Sequence, residues 1–191
     1  MRNIIAIPQV TLDGVMQSPG GPEEGSEERV HPGRLGHALL GRRPKPIGET
    51  IAGEFDMLFG RRTCEIFAAY WPNHRGPIAK AFNKATKYVV TRSLDQLDWA
   101  TSLHIGGDVV DEVRRLKVSD GPALHLGQQR IDRRRTRRRI SHLGLSVSEG
   151  KRLFESSVPP RGLTLVETRS TPKGVLINTY RSAGPVKTGS L

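Results

Sequence analysis

The sequence predicts an α/β protein: a central mixed, mostly parallel sheet flanked by helices, ending in a C-terminal β-hairpin. Three observations predict it. Short apolar, β-branched runs alternate with stretches of helical spacing along most of the 191 residues, as parallel strands joined by helical crossovers require. One apolar run, ending Met57-Leu58-Phe59, passes through Gly60 straight into a helix-spaced run. The last two apolar-polar alternations flank Ser170-Thr171-Pro172-Lys173-Gly174, with Pro and Gly in turn positions.

The elements follow in order. Asn3-Ile4-Ile5-Ala6-Ile7 marks a strand within residues 2–8, and residues 18–29 form a Gly/Pro/Glu-rich loop. Residues 48–54 make a helical turn before a strand at 56–60 and a helix at 62–70, which stops ahead of Pro72. A short helix at 77–85 precedes a β-branched strand at 87–91. Residues 108–117 read as a helix with Val109, Val110, Val113 and Leu116 on one face. Its acids lead, and Arg114, Arg115 and Lys117 close it, matching the helix dipole. Gly121-Pro122 ends it before a buried strand at 123–126. Strands at 163–169 and 175–180 form the hairpin, and residues 182–191 read as a disordered tail on a single domain spanning 1–181.

Composition sets limits. The length fits one domain with a real core. No apolar run approaches the roughly 18 residues of a membrane span, and no signal peptide is visible. One cysteine excludes an internal disulfide and fits a cytoplasmic location. The six histidines are scattered, so no metal site is expected. The formal net charge of +11 points at first to nucleic acid. Yet residues 29–46 and 127–148 hold 12 of the 30 basic residues and one of the 19 acids, leaving 18 of each elsewhere. The excess is confined to two short blocks. An arginine-rich nucleic-acid arm over Arg130–Arg139 is the rival reading, but no aromatic residue is interleaved there to stack a base.

The chemistry concentrates at strand ends. Gly60-Arg61-Arg62-Thr63 opens a helix, so backbone N–H groups, a hydroxyl and two guanidinium groups meet at a helix N-terminus suited to a phosphate or pyrophosphate. Thr91-Arg92-Ser93 ends a strand with a planar donor fork between two hydroxyls, suited to a second phosphate such as the 2′-phosphate of NADPH. Thr11-Leu12-Asp13-Gly14 marks a turn where backbone can approach a ligand. Tyr70 and Trp71 are candidates to line a substrate cleft, with packing in the core as the alternative. His125, in an apolar strand, reads as structural. No nucleophile–base pair or paired carboxylate stands out, and no catalytic residue is assigned.

Thr11-Leu12-Asp13-Gly14, Gly60-Arg61-Arg62-Thr63 opening a helix, and Val90-Thr91-Arg92-Ser93, in that order, resemble the dihydrofolate-reductase-like superfamily. Within it the chain is most similar to the reductase domain of the riboflavin-biosynthesis deaminase/reductase and its stand-alone bacterial relatives. The resemblance continues through Ile66–Pro72, Gly107-Asp108-Val109-Val110, Gly150-Lys151-Arg152-Leu153-Phe154 and the terminal strands. It implies the three-layer dihydrofolate-reductase-like fold, NADPH as cofactor, a small-molecule substrate and a homodimer. It implies that residues 61–63 hold the pyrophosphate and that Thr91, Arg92 and Ser93 face the adenosine phosphate. Thr11, Asp13 and Gly14 would lie beside the nicotinamide ribose, and Gly127 would start a second phosphate loop. The implied reaction reduces the ribosyl group of 5-amino-6-(5-phosphoribosylamino)uracil. Cys64 stands where a Tyr is usual, and Gln128 where a small hydroxyl residue is expected.

The resemblance fails in the two basic blocks. Relatives carry a Gly-Gly-Trp segment and a helix in the first, and a Gly-Ser turn, helix and buried strand in the second. Back-translating Gly33–Arg43 and reading one nucleotide later permits Gly-Gly-Trp-Val-Met-Pro-Tyr-Trp-Asp-Asp. The same shift from Gly127 permits Gly-Ser-Ser-Glu-Leu-Ile. Residues 30–46 and 127–148 are therefore read as out-of-frame translation, which leaves an inactive product of a shifted reductase gene as a further alternative.

Overall fold

The computed structural model describes residues 1–16, 51, 53–93, 97–127, 139–144, 153–154, 160–172 and 174–186. The loop read at 18–29 and the block at 30–46 lie outside these residues. So does the block at 127–148, except for Gly127 and 139–144. The chain divides into two units, Met1–Ile5 with Lys45–Gln129, and Ala6–Pro44 with Arg130–Leu191.

The first unit is a five-stranded sheet with helices. Its elements are β1 (Ile4–Ala6), β2 (Phe55–Gly60), α1 (Arg61–Tyr70), a 3₁₀ turn (Trp71–Asn73), α2 (Pro77–Lys84), β3 (Lys87–Val90), β4 (Ser102–Ile105), α3 (Val109–Val118) and β5 (Ala123–Leu126). The strands lie in the order β4-β3-β2-β5-β1. The pairs β2–β3, β2–β5 and β3–β4 are parallel.

Strand β2 is central and buried along Phe55–Phe59, which is why its sequence is nearly continuous apolar rather than alternating. Phe55, Met57 and Phe59 meet a core built from Cys64 and Phe67 of α1, Trp71, Ala79 and Phe82 of α2, Val89 and Trp99. The rings pack edge-on or offset: Trp71 meets Phe82 at 4.6 Å, and Phe67 meets Trp71 at 6.2 Å. Phe59 is fully buried, and truncating such a side chain to Ala costs about 3–5 kcal/mol.

Asp56 interrupts the apolar run and is matched by Arg2. The Arg2 guanidinium donates to Asp56 Oδ2 and, through Nε, to Pro122 O at 2.7 Å. Asp56 Oδ1 also accepts from Thr86 N at 3.3 Å. Both residues are buried, so each charge depends on the other.

A second buried cation has no such carboxylate partner among the described residues. Lys87 is inaccessible, and its ammonium donates to Asn83 O (2.8 Å), Ala100 O (3.0 Å) and Thr101 Oγ1 (2.9 Å). It also sits 4.3 Å from the centre of the Trp99 ring. Burial in these neutral surroundings pushes its pKa down to about 8. Thr101 is left-handed (φ 62°), unusual for a β-branched residue. Its hydroxyl donates to Ala85 O at 2.8 Å while accepting from Lys87.

Helix α3 begins where the acids predict. Asp108 caps it, accepting from Val110 N at 2.7 Å and Asp111 N at 3.2 Å.

The second unit contains β6 (Arg139–Gly144), β7 (Arg161–Ser170) and β8 (Leu176–Pro185). Both β6 and β7 pair antiparallel with β8. The β7–β8 loop closes through Gly174 N to Thr171 O at 2.8 Å, with Gly174 at φ 80°.

Three readings change. Strand β4 replaces a stretch to which the sequence assigned no element. Strand β6 lies in a block read as carrying no reliable element. Strand β8 runs on through Ser182–Pro185 into the expected tail, because Arg161 and Gly162 pair with Pro185 and Gly184. Among the described residues no helix is long and apolar enough to cross a membrane.

Candidate functional site

In the first unit the chain moves outward from β2 to β3 and β4, then returns on the other side of β2 as β5. In open α/β sheets ligands bind beyond the carboxyl ends of the strands, where the strand order reverses; here that point lies between β2 and β5. The connection leaving β2 is Gly60-Arg61-Arg62-Thr63 and the one leaving β5 starts at Gly127.

Gly60 is the N-cap of α1, in extended conformation, and makes no side-chain cap. A Gly cap leaves the first helical N–H groups to external acceptors. Arg61 bridges two elements. Its Nε donates to Glu65 Oε1 at 2.7 Å, one turn along α1, and its NH1 donates to Ser93 Oγ at 3.1 Å, beyond the end of β3. Ser93 N donates to Thr91 Oγ1 at 3.1 Å, closing a small turn, and Arg92 lies exposed between them. Arg61, Thr91 and Ser93 are thus brought together by direct bonds.

Gly127 is fixed by close packing. Its N–H donates to Leu58 O at 3.1 Å. A Cβ there would stand 2.9 Å from Phe59 Cβ and 3.2 Å from Thr63 Cγ2. Only glycine lets the β5 connection lie against the start of α1. Guanidinium groups, the Thr63 hydroxyl and this bare backbone are the groups here that could hold a phosphate.

Thr11, Asp13 and Gly14 belong to the second unit. They form a tight turn in which Thr11 Oγ1 donates to Asp13 Oδ1 at 2.5 Å and accepts from Val15 N at 2.9 Å. Gly14, at φ 87°, accepts from Leu153 N at 2.9 Å. Tyr70 is 46% exposed and stacks on His74 at 3.6 Å. Trp71 is buried in the aromatic core, which accounts for it by packing.

His125 is buried and stacks on Phe55 at 4.4 Å. Desolvation lowers its pKa to about 4. Burial also raises the pKa of the Cys64 thiol. Among the described residues no group of three His, Cys, Asp or Glu is placed to hold a metal ion.

Two residues at or near the site had no sequence signal of their own: Glu65, which orients Arg61, and His104, whose Nε2 lies 2.9 Å from Thr91 O. Only the i,i+4 spacing of Arg61 and Glu65 was legible.

Known structures share this fold. A protein assigned to riboflavin biosynthesis from Shewanella sp. PV-4 superposes with a TM-score of 0.61 at 14% identity, over 95% of this chain and 99% of that one. The fold is that of dihydrofolate reductase. A pyrimidine reductase-like protein of Corynebacterium diphtheriae gives a TM-score of 0.59 at 10% identity, over 95% of this chain and 92% of its own. The dihydrofolate reductase of Enterococcus faecalis, complexed with NADP(H) and RAB-propyl, gives 0.52 at 16% identity, over 95% and 96%. No family model and no curated protein matches the sequence.

Proposed function

We infer that the protein is an NADPH-dependent reductase of a small molecule, similar to the reductase that acts on 5-amino-6-(5-phosphoribosylamino)uracil. One observation carries this reading: Arg61 joins the start of α1 to the turn after β3, at the end of β2 against which Gly127 packs. Two phosphate-suited groups, at residues 60–63 and 91–93, are thereby linked within one unit. The reductase fold of the structural neighbours supports the same reading, and one neighbour is complexed with NADP(H). The cofactor, once bound, supplies the hydride. The chain's own task is to bind and orient it: Arg61 and Arg62 supply charge, Thr63 a hydroxyl, and Gly127 room for close approach. A homodimer is part of this reading and is tested by its mass in solution.

The test is calorimetric titration of the protein with NADPH, followed by NADPH oxidation in the presence of 5-amino-6-(5-phosphoribosylamino)uracil. Saturable binding is expected, and Arg61→Met should weaken it about tenfold, as loss of a charge-assisted contact does. Absence of NADPH binding sinks the reading. Binding without turnover of this substrate retains the reductase and replaces the substrate.

A further inference from the structure

The Thr91–Ser93 turn is held from outside. His104, on edge strand β4, brings Nε2 within 2.9 Å of the Thr91 carbonyl oxygen. A carbonyl only accepts, so Nε2 carries the proton of this bond. Parallel register sets the contact: Val89 lies opposite His104 and Val90 opposite Ile105. Thr91 N then donates to Ile105 O at 3.2 Å, and the exit of β3 runs past the imidazole. Gly106 leaves space for the ring, since a Cβ there would stand 2.8 Å from His104 Cε1.

From Thr91 the bonds continue inward. Ser93 N donates to Thr91 Oγ1, Arg61 NH1 to Ser93 Oγ, and Arg61 Nε to Glu65 Oε1. His104 is the outer end of a connected chain that reaches the guanidinium at the start of α1.

We propose that His104 is a positioning residue that fixes the Thr91–Ser93 turn for an adenosine 2′-phosphate, and so sets the preference for dinucleotides that carry this phosphate. The inference rests on the NADPH reading above. A phosphate is read by donors held within a fraction of an ångström of their working geometry. Loosening the turn therefore costs a ligand that contacts it and spares a ligand that lacks the phosphate.

The experiment measures NADPH and NADH dissociation constants for the unmodified protein, His104→Leu, His104→Gln and Gly106→Ala. His104→Leu removes the donor and should weaken NADPH by roughly threefold to tenfold, the worth of one neutral hydrogen bond. NADH should change by less than about twofold. His104→Gln offers an amide N–H and should recover most of the preference. Gly106→Ala crowds the ring without altering it and should repeat the loss, so it decides the matter where the Leu variant does not fold. An unchanged NADPH-to-NADH ratio in both His104→Leu and Gly106→Ala overturns the proposal alone. An equal loss for both nucleotides also overturns it. If the unmodified protein binds neither nucleotide, the reductase reading falls with it.

Discussion

A Cβ on Gly127 would stand 3.2 Å from Thr63 Cγ2, so the connection after β5 touches the start of α1 with no room to spare. The same added carbon would stand 2.9 Å from Cβ of Phe59, which is fully buried. Gly127→Ala should therefore destabilise the protein by about 1–3 kcal/mol, as overpacking does. Denaturant unfolding checks the cost. On the NADPH reading proposed above, nucleotide titration of the folded fraction should also show weaker NADPH binding, because the backbone at Gly127 is displaced.

Lys87 gives an alkaline signature. Its folded pKa of about 8 lies below the ordinary 10.5. Between these values the unfolded chain holds a proton that the folded chain has released, so stability rises with pH through this window. Lys87→Met lacks the term. Unfolding free energy of the unmodified protein minus that of Lys87→Met should increase from pH 8 to 10.5 by roughly 3 kcal/mol, from about 1.4 kcal/mol per pKa unit. A flat difference would show that the ammonium is not desolvated.

His125 gives an acid signature of the same sign. Its pKa falls from 6.5 to about 4. Its contribution is complete above pH 6.5 and is lost as pH falls toward 4, on the order of 3 kcal/mol in all. His125→Phe keeps a ring against Phe55 and removes the titration. Across that window its stability should change less than that of the unmodified protein, as thermal melts at matched pH would reveal.

The Arg2–Asp56 pair tests mutual dependence. Asp56→Ala leaves the buried guanidinium uncompensated and should cost about 3–5 kcal/mol. Arg2→Met combined with Asp56→Leu should recover much of the loss, since apolar replacement of a buried pair is often near neutral. A double-mutant cycle measures the coupling.

Much of this was legible in the sequence, for identifiable reasons. Strand β2 and helix α1 were visible because burial on both faces leaves an apolar run and because Gly60 punctuates it. The hairpin was visible from Pro172 and Gly174. Its full length was hidden because Ser182-Ala183-Gly184-Pro185 are turn-forming residues that pair only with a partner strand in place. Strand β4 was hidden because it lies at the sheet edge, with Leu103 and His104 both exposed and no alternation to read. At the candidate site, residues 60–63 and 91–93 were singled out by type and position, and the structure bonds Arg61 to Ser93. His104 was not, because its contact with Thr91 arises from the parallel register of two strands and leaves no local motif.

Cys64 is the chain's one thiol, 3% exposed on the buried face of α1. It therefore serves as a built-in stopwatch. A thiol reagent can modify it only as fast as the helix lifts from the sheet. Any compound that clamps Arg61 and Thr63 should lengthen the labelling time, so screening for ligands needs neither a known substrate nor an added dye on the protein.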